Sequence, residues 1–285
     1  MKGRILITGA SGFIGKFLVR YFSLAGYNVV ALMRSIPEEK ERGVEYVRYD
    51  LREGFQEKWL EGATALVHCA YLKYSVENRD SDEVNFGATR EILDCTMKHP
   101  EVHFVYLSSF AAHEGASGHY GKSKLAIEKL LENAGTLVLK PGLVCGDGGI
   151  YSALSDGIRK SRFIPLLGSG AQPLQLVHIS EVAEVIRTGI ERKIIGKYAI
   201  ADNRVITFRD LYRTLAAKQG RKIYFLPLPW FLFALLIWLL RIFYPGLGFS
   251  VENLRGMKDA KSYNTKDSSD IFGISFGETD RKTDV

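Results

Sequence analysis

The sequence predicts an α/β protein built on a doubly wound parallel sheet, with a smaller C-terminal substrate lobe. Two observations carry this. Short runs rich in β-branched residues alternate with longer segments of helical period through about residue 140, and the first strand passes into a helix through a glycine-rich turn. The candidate strands are Arg4–Thr8, Asn28–Met33, Val44–Tyr49, Ala65–Cys69, Val102–Ser108 and Thr136–Lys140, and the candidate helices are Phe13–Ala25, Ser81–Lys98 and Tyr120–Asn133. Right-handed crossovers then bring the strand C-termini to one edge, where ligands of open α/β sheets bind. Residues 1–142 read as this sheet domain and 143–285 as the mixed lobe, whose segment 174–190 returns to pack on the first domain.

The opening block, Thr8-Gly9-Ala10-Ser11-Gly12-Phe13-Ile14-Gly15, follows the strand directly. Glycines three apart suit a tight turn at Gly9, close approach of Gly12 to phosphate oxygens, and close helix–strand packing at Gly15. Amides at the start of the helix, around Ser11, Phe13 and Ile14, then face a diphosphate. The first domain is therefore a Rossmann-type NAD(P)-binding fold. The second strand ends in Arg34-Ser35 with no acidic residue at its tip, a pattern that favours NADP(H) over NAD(H). A solvated surface arginine is the plainer reading of Arg34. Asp50, followed by Leu51 after the third strand, is placed to accept from an adenine amino group or to cap the next turn.

Tyr120 and Lys124 share one helix face, four residues apart, downstream of a strand that ends in Ser108-Ser109. A nearby ammonium favours the phenolate of a tyrosine. A serine at the strand end can donate to a substrate oxygen while Tyr120 exchanges its proton. Strand alternation favours Ser109 for that role and leaves Ser108 as a turn cap.

The chain resembles the extended short-chain dehydrogenase/reductase superfamily, the NAD-dependent epimerase/dehydratase family. The resemblance rests on TGASGFIG at 8–15, Asp50-Leu51, the Leu66-to-Ala70 segment, Val84-Asn85 with Gly87-Ala88-Thr89, LSS at 107–109, YGKSK at 120–124, Lys140-Pro141-Gly142 and Val177-His178-Ile179. It implies Ser109, Tyr120 and Lys124 as a catalytic trio, with Lys124 holding the nicotinamide ribose. It also implies cofactor contacts at Cys69 and Ala70, Pro141 and Leu143 beside the nicotinamide, and Asn85 supporting the site or capping its helix. The loop from Ser109 to Tyr120 is shorter than in sugar-nucleotide epimerases and carries His113-Glu114-Gly115 in place of their valine-tyrosine-glycine, so a sugar-nucleotide substrate is not carried over.

The implied function is hydride transfer at a secondary alcohol or ketone of a small molecule, as an oxidoreductase or epimerase. A catalytically quiet NADP(H)-binding subunit or scaffold that docks to a membrane or partner through residues 228–243 is the alternative. A net charge of +6 with scattered Lys and Arg argues against a nucleic-acid partner. Three separated cysteines suggest no disulfide framework, and the histidines are not spaced for a metal site. His178 reads as an orienting residue before the Ser180 helix, with a general acid as the other reading. The first residues carry no secretory pattern, which fits a cytoplasmic protein.

The segment Leu228–Phe243 is apolar on every face, with Trp230, Trp238, Arg241 and Tyr244 in or beside it. A buried helix, a helix peripheral to a membrane or docked on a partner, and a short span are its three readings. The family resemblance also implies a homodimer through the helices near 81–98 and 120–133.

Overall fold

The computed structural model describes residues 2–75, 77–243 and 251–277. In chain order, the first elements are β1 (Lys2–Thr8), α1 (Phe13–Leu24), β2 (Tyr27–Met33), β3 (Val44–Arg48), β4 (Ala63–His68), α2 (Ser81–Met97), β5 (His103–Leu107), α3 (His119–Leu130) and β6 (Leu137–Pro141). Then come β7 (Leu143–Cys145), α4 (Gly149–Lys160), β8 (Phe163–Leu167), β9 (Pro173–Leu174), β10 (Leu176–His178), α5 (Ile179–Glu191) and β11 (Gly196–Ile200). The chain continues through β12 (Ile206–Thr207), α6 (Phe208–Lys218), β13 (Tyr224–Leu228), α7 (Trp230–Phe243), α8 (Val251–Lys258) and α9 (Lys266–Phe272).

Seven parallel strands form the main sheet in the order β11-β6-β5-β4-β1-β2-β3. Each inner strand is apolar on both faces, because helices cover both. Ile5, Ile7, Val29, Ala31, Val67, Val105 and Leu139 pack on one side with Leu18 and Phe22 of α1 and Val182 and Ile186 of α5. Their neighbours Leu6, Val30, Leu32, Leu66, Phe104 and Val138 pack on the other with Ile92 of α2 and Ile127 of α3. One-residue alternation thus gives two cores from one sheet.

The strand order reverses between β1 and β4, which opens a crevice at their C-terminal ends. The register Thr8↔His68 sets Gly9 beside Cys69 there. The seventh strand, β11, comes from beyond Gly142 and pairs with β6, so the large sheet draws on residues from both halves of the sequence.

The smaller lobe holds the pairs β8·β13 and β9·β12. Its core joins Leu154 and Ile158 of α4 to Phe208, Leu211 and Leu215 of α6 over Ile164 and Leu166. Gly142 carries the chain from β6 into β7, where a β-carbon would collide with the Gln175 carbonyl. His178 caps α5: its ring accepts from the Ser180 amide, and the Glu181 carboxylate accepts from the His178 amide at 2.8 Å. The residue thereby orients the returning segment.

In the apolar segment, Phe233 and Ile237 of α7 are buried against Leu167, whereas Phe231, Leu232 and Leu235 are exposed. Among the described residues, no helix is long and apolar enough to cross a membrane. Tyr244 lies outside the described residues, as do the side chains of Trp238 and Arg241.

Candidate active site

The glycine turn has the geometry its spacing requires. Gly9 sits at φ +67°, and a β-carbon there would come within 2.7 Å of the Ala70 backbone. The Gly12 amide donates to the Gly9 carbonyl at 2.9 Å, and a β-carbon on Gly15 would collide with that same carbonyl. Gly12 is the N-cap of α1, with no side-chain cap and no acidic residue in the first turn. Ser11 and Gly12 are exposed, and Phe13 and Ile14 are half-buried. This helix start presents amides and positive dipole to the crevice, so its residues fit a dinucleotide diphosphate. A second glycine turn closes over it. Gly146, Gly148 and Gly149 pack on the Phe13 ring, where a β-carbon on Gly149 would lie 2.9 Å from Cδ1.

The other selected residues follow the C-terminal edge in strand order. Arg34 and Ser35 are exposed after β2, and Arg34 makes no ion pair among the described residues. The Asp50 carboxylate accepts from the Arg52 amide at 3.0 Å, so it caps the local turn. Leu51 beside it is half-buried. Past β4, the Cys69 amide donates to the Thr8 carbonyl and the Ala70 amide to the Thr8 hydroxyl, both at 3.3 Å. Pro141 ends β6, where its carbonyl accepts from the Phe110 amide at 3.0 Å, and the Leu143 amide donates to Gln175 at 2.8 Å. From β2 to β5 is three inter-strand steps, roughly 14 Å at ~4.8 Å each.

The two serines after β5 separate cleanly. Ser108 is buried and donates to Glu128 at 2.5 Å. Ser109 turns outward, its hydroxyl accepting from the Ala111 amide at 3.2 Å and bonding the Tyr120 phenol. Gly121 makes this approach feasible: a β-carbon there would collide with the Ala111 carbonyl and push the start of α3 away from Ser109. Tyr120 is 38% exposed and meets the Tyr71 ring edge-on at 5.0 Å.

Lys124, one turn on, is buried. Its Nζ donates to the Leu107 carbonyl at 2.7 Å and lies 4.6 Å from the Tyr106 ring and 5.0 Å from that of Tyr71. Burial pulls its pKa down to about 8, against the influence of Cys69 and Glu128. The expected lowering of the Tyr120 pKa by this ammonium is not what the structure gives. Desolvation raises that phenol above its ordinary value, and the bond with Ser109 is what opposes the rise. The Lys124 ammonium is held instead at the Leu107 carbonyl and the two ring faces.

Four features support this arrangement, and all but Asn85 escaped the sequence reading. Glu128, buried in α3, accepts from Lys140 at 3.0 Å as well as from Ser108, while Lys140 also donates to the Ala112 carbonyl at 2.6 Å. This network fixes the loop that carries Ser109. Its sequence signal is that Glu128 continues the Tyr120–Lys124 face by one more turn. Asn85 lies inside α2, where its side chain clamps the Leu72 backbone through both amide and carbonyl, at 2.8 and 2.9 Å, instead of capping the helix. His68 links Thr8 and Thr89, at 2.6 and 3.2 Å, and burial depresses its pKa to about 3, so it stays neutral. The Tyr263 hydroxyl donates to the Phe110 carbonyl at 3.2 Å, and Asp259 accepts from both amide and hydroxyl of Ser117, which straps the C-terminal segment over the same loop.

The model of the NAD dependent epimerase/dehydratase family matches residues 5–201. The chain is 25% identical over 237 residues to a ceramide reductase of Caulobacter vibrioides, covering 80% of this chain and 74% of that protein. It is 22% identical over 302 residues to a UDP-glucose 4-epimerase of Vibrio cholerae, covering 94% and 90%. Among solved structures, the dTDP-glucose 4,6-dehydratase of Bacillus anthracis in complex with NAD superimposes with a TM-score of 0.72 at 15% identity, covering 96% of this chain and 92% of that one. The UDP-glucose 4-epimerase of Thermus thermophilus, in complex with NAD, gives 0.65 at 22% identity, covering 79% and 86%. These structural likenesses show the fold.

Proposed function

The chain belongs to the NAD dependent epimerase/dehydratase family, and from that membership we propose that it is an NADP(H)-preferring enzyme that interconverts a secondary alcohol and a ketone. The observation that carries the reading is the Ser109–Tyr120 hydroxyl pair at the mouth of the crevice, with Lys124 one turn behind it. When bound, the nicotinamide supplies the hydride exchange. Tyr120 gives its proton to the ketone oxygen in reduction and takes it back from the alcohol in oxidation. Burial raises the phenol above its ordinary value, which favours its protonated form as the donor. Ser109 donates to the same oxygen and orients it.

Burial pulls the Lys124 pKa down to about 8, which still leaves the ammonium as the favoured form at pH 7. Its ammonium would hold the nicotinamide ribose, and the Gly9–Gly15 turn the diphosphate. Arg34, exposed at the end of β2 and without an ion pair among the described residues, supports the NADP(H) preference, since its guanidinium would be available to a 2′-phosphate. Asp50 would receive the adenine. The test is identification of the ligand released from native protein, with fluorescence titration of NADPH against NADH. NADPH binding the tighter, by a margin that Arg34→Asp abolishes, is the expected result. Equal affinity in wild type and variant would refute the preference.

A further inference from the structure

The smaller lobe carries an exposed apolar face whose edge is cationic. β8 and β13 pair in parallel, and alternation turns Ile164, Leu166 and Phe225 into the lobe core. The opposite face of the pair carries Phe163, 60% exposed, Tyr224, 56% exposed, and Leu226, 45% exposed. α7 covers the far end of that face by packing Phe233 and Ile237 against Leu167. Its own outward side is then Phe231, Leu232 and Leu235, of which Phe231 is 66% exposed. A surface helix of a globular protein ordinarily turns polar residues outward, so this side, like the strand face beside it, exposes apolar residues where polar ones are the rule.

Cations without ion-pair partners lie beside it. Lys160 and Arg162 precede Phe163, and Lys222 lies two residues before Tyr224. All three are exposed and make no ion pair among the described residues. The strand starts are tied together by the Tyr224 amide, which donates to the Arg162 carbonyl at 2.7 Å, so these cations gather at one end of the apolar face. At the start of α7, the exposed Lys258 places its Nζ 5.3 Å from the Trp230 ring. Apolar and aromatic side chains bordered by free cations match the chemistry of an anionic bilayer surface, where the rings enter the acyl boundary and the cations meet phosphate headgroups.

We infer that this composite face, formed by β8, β13 and the outward side of α7, docks the protein peripherally on an anionic lipid bilayer. This goes beyond the catalytic reading and does not depend on it. The occupant is an anionic lipid surface, because Lys160, Arg162 and Lys222 have no ion-pair partner among the described residues and lipid phosphates supply the counter-charge while the acyl boundary takes up the rings.

The test is co-sedimentation of the full chain with phosphatidylglycerol–phosphatidylcholine vesicles and with phosphatidylcholine vesicles alone. Binding to the first, weakened by added sodium chloride and far weaker on the second, is the expected result. Lys160→Glu with Arg162→Glu and Lys222→Glu should lower the vesicle affinity by on the order of 100-fold or more, given about fivefold per cation lost. Phe231→Asp with Leu235→Asp should abolish it. Both variants change exposed side chains and should keep the wild-type melting temperature. Wild-type protein that fails to sediment with the anionic vesicles would overturn the inference, as would variants that bind like wild type. So would a concentration-dependent dimer that Phe231→Asp with Leu235→Asp dissolves.

Discussion

Glu128 offers a sharp perturbation of the scaffold behind the candidate site. Its carboxylate is almost wholly buried, holds the Lys140 ammonium at 3.0 Å and accepts from Ser108 at 2.5 Å, with the Lys197 Nζ at 3.6 Å. Glu128→Leu keeps much of the volume but strands a Lys140 that is only 7% exposed. Removing one partner of a buried pair costs about 3–5 kcal/mol, because the other charge loses its compensation. Lys140→Met should cost a similar amount for the converse reason. With both replaced, no charge is stranded between them, and the remaining loss is the unpaired Ser108 hydroxyl and Ala112 carbonyl, about 1–3 kcal/mol each, one of which each single variant also bears beside its stranded charge. The double variant should therefore be more stable than either single one, with a coupling of at least about 2 kcal/mol. Urea unfolding of the wild type, both single variants and the double variant measures this cycle. Losses that simply add, or a Glu128→Leu cost below about 1 kcal/mol, would refute the assignment of the pair as a unit.

Three further outcomes follow from the same geometry. Gly15→Ala should weaken NADPH binding by at least roughly tenfold, since its β-carbon collides with the Gly9 carbonyl and displaces the turn that receives the diphosphate; fluorescence titration reads this directly. His68, depressed to about 3 when folded and near 6.5 when unfolded, binds its proton more readily in the unfolded chain. Its contribution to stability is thus complete above about pH 6.5 and falls by up to about 1.4 kcal/mol per unit as pH drops toward 3, a slope that urea midpoints should show and His68→Gln should flatten. In the reductive direction, kcat/KM should fall above pH 8 as Lys124 loses its proton, and Lys124→Arg should move that limb upward if the variant still turns over.

The elements legible in the sequence are those whose cause is local. Gly9, Gly12 and Gly15 announce the turn because Gly9 takes a left-handed φ of +67° and Gly12 and Gly15 each approach the nearby Gly9 carbonyl, and β1, β2 and β4–β6 announce themselves because burial on both faces leaves unbroken apolar runs. Tyr120 and Lys124 are readable from helix periodicity, and Ser109 from strand alternation. What stayed hidden depends on chain segments that meet only after folding. β11 is a five-residue edge strand whose Gly196 and Lys197 are exposed, so its pattern is weak until it pairs with β6. Glu128 and Lys140 sit on different elements, and either alone reads as a surface charge. Tyr71 gives no signal before it is seen against Lys124 and Tyr120, and Tyr263 reaches Gln175 across 88 positions. The raised Tyr120 pKa was likewise not readable, because spacing brings Lys124 onto the right face without revealing the Leu107 carbonyl that holds it.

The central claim, that Tyr120 moves a proton where a dinucleotide exchanges hydride, is tested most directly by isotope transfer. NADPH deuterated at the transferable position of the nicotinamide is incubated with a metabolite extract and either the wild-type protein or Tyr120→Phe, and products are read by mass spectrometry. The account predicts deuterium at a secondary carbinol carbon with the wild type, at least roughly a hundredfold less with Tyr120→Phe, and an NADPH affinity unchanged between them. Equal transfer by the Tyr120→Phe variant would contradict it.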